Sequence, residues 1–103
     1  MYKMAFFVPE TNADRVKQAV FATGAGQMGN YEACCFTTRG QGQFRPLQGA
    51  NPHLGQVGTL EFVDELKIEL VCKDELVHAA IEALKHAHPY EEPAFDVWRI
   101  EHA

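Results

Sequence analysis

An α+β fold, with helices packed on one face of an antiparallel sheet, is predicted by three observations. Residues Thr59 to Cys72 alternate: Leu60, Phe62, Leu66, Ile68, Leu70 and Cys72 have even parity, whereas Glu61, Glu65, Lys67 and Glu69 have odd parity. Two stretches instead carry apolar residues at helical spacing, Ala13, Val16, Val20 and Thr23 in one and Val77, Ala80, Ile81, Leu84 and Ala87 in the other. Each helical stretch lies between extended ones, so the order reads strand, helix, strand, strand, helix, strand. That βαββαβ order is the split βαβ, ferredoxin-like pattern.

Each element has its own signal. Tyr2 to Val8 reads as a buried strand, with Tyr2, Met4, Phe6 and Val8 on one face and Pro9 ending it. Thr11 or Asn12 is the expected N-cap of the first helix, and Gly24 sits where a left-handed residue would close it. Asn30 to Thr38 reads as the second strand, with Cys35 in the core. Arg39 to Gly58, rich in Gly, Gln and Pro, reads as a long loop with a short strand around Gln43 to Leu47. In the third strand Asp64 and Val63 break the alternation, which predicts a bend or bulge across Val63 to Glu65. Asp74 is the expected cap of a helix over Glu75 to Ala87, and Ala94 to Glu101 is the expected last strand. His78, His86 and His102 are expected on the helix surface or at the tail.

The 103 residues, 47 % of them hydrophobic, are enough for one domain, 1–103, with a single two-layer core and sites at the surface or between subunits. A formal charge of −5, with the nine basic residues scattered, disfavours a nucleic-acid partner, which needs clustered cations against phosphate. No apolar run is long enough to span a membrane, and Met1 to Ala5 lacks the regions of a signal peptide, so no membrane partner and a cytoplasmic location are expected. Three cysteines, Cys34, Cys35 and Cys72, without C-x-x-C spacing fit a reducing compartment.

The chemistry gathers in His88-Pro89-Tyr90-Glu91-Glu92-Pro93. Two prolines stiffen this turn and push His88 and Glu92 out of the helical region. One imidazole, one phenol and two carboxylates result, a partial ligand set for copper, zinc or nickel that His53 on the long loop would extend. A purely structural use of the turn, bonding across a subunit interface, competes with that reading. Gly24, Gly26 and Gly29 spell G-x-G-x-x-G, but a helix precedes and a strand follows, the reverse of a dinucleotide site. What remains for these glycines is a tight turn, or a nest of backbone N–H groups for an anion. Cys34 or Cys35 with His88 is the only nucleophile and base pairing in view, and no local feature lowers a thiol pKa.

Gly24 to Phe36, Gly40 to Pro46 and Gly49 to Pro52 resemble the inserted domain of YqfO-type proteins of the Nif-three-like family. The His88 to Pro93 turn resembles that domain and also the matching turn of the CutA divalent-cation tolerance family. The resemblance implies that domain standing alone, with a ferredoxin-like fold related to CutA and PII signalling proteins and a homo-oligomeric, commonly trimeric, assembly. The larger proteins hold two metals on flanking domains that are not among these residues, so the dinuclear site is not carried over. The expected function is a small ligand-binding or regulatory module with a divalent cation as leading ligand. Its expected ligand-binding residues are Gly24, Gly26, Gly29, Tyr31, Arg45 and Tyr90, and its expected metal ligands His88, Glu91, Glu92 and His53. The alternatives are a non-catalytic interaction protein, or an enzyme or accessory subunit of a metal-dependent hydrolase.

Overall fold

The computed structural model describes residues 1–101; His102 lies outside them. Strand β1 (Tyr2–Pro9) leads through a single 3-10 turn into helix α1 (Ala13–Phe21), and β2 (Phe36–Phe44) and β3 (Glu61–Cys72) follow. A second 3-10 turn opens helix α2 (Val77–Ala87), and β4 (Phe95–Arg99) closes the sheet. The strand order is β2-β3-β1-β4, with every neighbouring pair antiparallel. This is the expected ferredoxin-like arrangement.

Parity and helical spacing together place the core. Met4, Phe6 and Val8 of β1 and Ile68, Leu70 and Cys72 of β3 are buried against Val16 and Val20 of α1 and Ala80 and Leu84 of α2. Both helices are held at their ends by backbone chemistry. Thr23 Oγ1 donates to the Val20 carbonyl at 2.6 Å, and Gly24, at φ +99°, turns the chain away from α1 as expected. At α2, Arg15 Nη2 reaches across from α1 to the Ala87 carbonyl at 3.0 Å, a cation on a carbonyl that the helix cannot satisfy.

Several boundaries differ from expectation, each for a physical reason. The second strand is not Asn30 to Thr38 but Phe36–Phe44. Gly29 and Ala33 both take positive φ (57° each), which breaks any extended run before Cys34. Much of the expected loop is therefore strand, with Gly40 and Gly42 accommodated inside it, and the connecting loop runs over 45–60. Cys35 is exposed rather than in the core, because the segment that carries it precedes the strand; Cys72 is buried as expected. No bulge interrupts β3 opposite β2, since the register runs unbroken from Phe36↔Glu69 to Phe44↔Glu61. Leu60 precedes the strand, and Phe62 is 54 % exposed because neither helix reaches that end. Asp74 caps no helix with its side chain; it receives the amino-terminal ammonium and the Arg99 guanidinium, the latter at 3.0 Å. Asn12 occupies the N-cap position of α1 but makes no side-chain cap bond.

Strand length sets the shape. β3 outruns β1, so Glu61 to Asp64 pair with β2 alone and form a two-stranded arm along a molecule 46 Å in its long dimension. β4 is short and pairs β1 only from Tyr2 to Phe6. The polar groups of Phe7 therefore lack a full strand partner on that side, and the His88 to Pro93 turn fills the gap.

Candidate functional site

His88 is 6 % exposed, the one buried polar or charged residue among the described residues. Pro89 holds it extended (φ −70°, ψ 139°), which ends α2 and aims the imidazole at β1. Its Nε2 lies 2.7 Å from the Phe7 carbonyl, and its Nδ1 accepts the Tyr90 backbone N–H at 3.1 Å. Only the Nε2–H tautomer makes both bonds. Phe7 N–H donates to the Ala94 carbonyl at 3.2 Å, so of the two backbone groups left over by β4 one is satisfied by His88 of the turn and the other by the residue just after it. Burial holds the His88 pKa below its ordinary value against the opposing pull of the Phe7 carbonyl, with the Arg15 and His53 charges adding to the lowering.

The Tyr90 ring stands beside three others. Its centroid is 5.0 Å from His88, 6.1 Å from Phe44 and 6.1 Å from His53, all tilted. Its hydroxyl is buried without a hydrogen-bond partner, and burial next to the Glu65 carboxylate pushes its pKa to about 12. Glu65, on the open sheet face, is itself raised by burial. A Cβ on Gly42 would fall 1.8 Å from Glu65 Oε1, so the carboxylate lies across strand β2 in space that only glycine leaves free. Glu91 Oε1 accepts the Asn51 backbone N–H at 3.0 Å and ties the 45–60 loop to the turn.

Between loop, turn and sheet lies a cleft of about 400 Å³. Phe7, Phe44, Pro46, Leu47, Pro52 and Leu54 give it apolar walls, and Arg45, His53, Glu65, Tyr90, Glu91 and Glu92 contribute the polar groups. Five expected site residues thus line one space: Arg45, His53, Tyr90, Glu91 and Glu92. Gly24, Gly26, Gly29 and Tyr31 do not. Gly26 bonds the Val71 carbonyl at 2.8 Å, six residues along β3 from Glu65, which is about 20 Å at the rise of a strand. Tyr31 makes a small backbone bridge with Met28 and is 76 % exposed. Phe44 and Glu65 are site residues that the sequence reading left out. Gly42 was the available signal, since a glycine inside a strand marks a close approach.

The turn does not fit a preformed metal centre. Both His88 nitrogens are engaged by backbone, which removes it from the expected ligand set, and one Glu91 oxygen is taken by Asn51. Among the described residues no group of three His, Cys, Asp or Glu side chains is placed to hold a metal ion.

Fold and cleft together define the class: a ferredoxin-like domain with a cleft where the long β2–β3 connection meets the turn before β4. The CutA structure from Archaeoglobus fulgidus, a periplasmic divalent cation tolerance protein, covers the whole chain and 87 % of its own at a TM-score of 0.70; at 17 % identity this likeness is one of fold. Closer in sequence is a Bacillus cereus protein related to NIF3, which superposes on 98 % of the chain and 26 % of its own with a TM-score of 0.84 and 40 % identity. The GTP cyclohydrolase 1 type 2 homolog of Halalkalibacterium halodurans is 45 % identical over 100 residues, 97 % of this chain and 27 % of that protein. The chain is homologous over nearly its whole length to a domain of NIF3-related proteins, as its sequence resemblance implied, and it spans about a quarter of their length. No protein-family model matches it. Among the described residues no helix is long and apolar enough to cross a membrane.

Proposed function

We propose that this chain is a non-catalytic ligand-binding or regulatory module whose ligand seats in the cleft between the 45–60 loop and the His88 to Pro93 turn. The observation that carries the reading is the Asn51 N–H to Glu91 bond, which closes a long loop over an apolar-walled space. Ligand binding would tighten that closure, and the loop would report occupancy by its order. The longer relatives are named GTP cyclohydrolase 1 type 2 homologs, and the reading carries no activity from that name to this chain. A divalent cation, with copper, zinc and nickel the candidates, would have to be held by Glu91, Glu92 and His53 without His88.

The reading includes a homo-oligomer, a trimer on the resemblance noted above, within a cytoplasmic setting. Its support is the β2 edge: the strand is largely exposed, with Phe36 at 69 % and the neighbouring Phe62 at 54 %, and such an edge needs cover.

Glu91→Ala, which removes the acceptor, is expected to loosen the loop with little loss of stability, within about 1 kcal/mol, because the bond is solvent-exposed. Amide exchange at Asn51 reads the effect, and it should quicken while exchange in β1 and β3 stays unchanged. An Asn51 amide protected equally in wild type and variant would remove the latch. Metal analysis with light scattering tests the cation and the oligomer together. Metal that is bound stoichiometrically and lost in His88→Ala alone would contradict the assignment of His88 to backbone.

A further inference from the structure

We propose that the cleft selects an organic cation, an ammonium or guanidinium group carried on an apolar body; this rests on the reading of the cleft as the ligand site. The charge balance points there first. Three carboxylates, Glu65, Glu91 and Glu92, line the space against one guanidinium, Arg45. The ion pairs of the described residues join other groups, Asp14, Glu10, Glu69 and Asp74 among them, and none involves a cleft carboxylate.

The walls narrow the class further. Phe44 and His53 flank Tyr90 with ring planes tilted by 53° and 45°, an arrangement that turns aromatic surface toward a common space. Aromatic faces carry negative quadrupole density and attract a weakly hydrated cation that is also in reach of a carboxylate. Glu65 lies among these walls, where burial raises its pKa and the neighbouring Tyr90 hydroxyl opposes that rise only in part. A cation entering beside Glu65 offsets that desolvation. An anion would face three like charges, and a neutral guest would leave Glu65 uncompensated in a drier site. A hard divalent ion needs converging oxygen donors and its own waters rather than Phe, Pro and Leu walls.

The test is an amide-resolved NMR titration of the full chain with three probes of similar body: benzyltrimethylammonium, benzyl alcohol and phenylacetate. The cation is expected to shift Phe44, Leu54 and Tyr90 at millimolar concentration and to bind about tenfold more tightly than the alcohol. Glu65→Gln should erase that tenfold preference, and Glu82→Gln on the far surface of α2 should leave it as in wild type. Equal binding of cation and alcohol in the cleft, or preference for phenylacetate, would overturn the cation selectivity yet keep the cleft as a ligand site. Cleft amides unmoved by all three probes would overturn both.

Discussion

Gly26→Ala is expected to lower the stability of the chain by about 2–4 kcal/mol, the sum of left-handed strain and overpacking. Gly26 has φ +82°, and a Cβ there would stand 2.8 Å from the Phe21 ring and 3.0 Å from the Cys34 carbonyl. The backbone cannot withdraw, because the Gly26 N–H donates to Val71 and its carbonyl accepts from Cys34, both at 2.8 Å. Gly29 is the internal control. It also has positive φ (57°), but nothing lies within 4 Å of its missing Cβ, so Gly29→Ala should cost only about 1 kcal/mol of strain. Urea midpoints compare the two. A ligand role for this glycine loop would instead show as normal stability with altered binding, and equal midpoints for the two variants would remove the packing argument.

His88→Ala is the other large effect, about 2–4 kcal/mol, because it strands the Phe7 carbonyl and the Tyr90 N–H together. The same bonds give stability a pH dependence of definite sign. Burial depresses the folded pKa of His88 from 6.5, so the unfolded chain takes up the proton first as pH falls. Stability from this residue is complete above about pH 6.5 and declines as pH drops toward the folded value. The difference in unfolding free energy between about pH 7.5 and 5.5 should therefore be larger in wild type than in His88→Ala. A wild type whose stability rose on acidification over that range, with the variant flat, would mean that the imidazole is charged in the fold.

What the sequence made legible follows from where side chains meet water on one face and protein on the other. β3, α1 and α2 each have one wet face and one dry face, so their period shows in the order of residues. β2 has no dry face. Thr37, Arg39 and Gln41 are exposed and so are Phe36 and Thr38, and a strand with both faces wet carries no alternation to read. Its place depends on pairing with β3, a long-range contact that composition does not record. Asp74 shows the same limit differently: its residue type favours a cap, yet partners distant in sequence, the amino terminus and Arg99, outcompete the local backbone.

The turn was legible as a concentration of chemistry but not in its use. Two prolines predicted its stiffness, and His53, Arg45, Tyr90, Glu91 and Glu92 do share one space. That His88 would spend both nitrogens on backbone depended on β4 being too short to serve Phe7, and the residue pattern of Ala94 to Glu101 did not reveal that shortness.

The overhang of β3 beyond β1 has a mechanical meaning. Pro9↔Glu65 is the last point at which the central sheet grips this strand, and the next four residues extend about 13 Å with β2 as sole companion. A ribbon clamped at one end is a cantilever: a tilt of a few degrees at its root becomes a displacement at its tip that grows with every residue. Glu65 stands at that root and also in the cleft wall, so the proposed ligand site and the base of the ribbon share one residue.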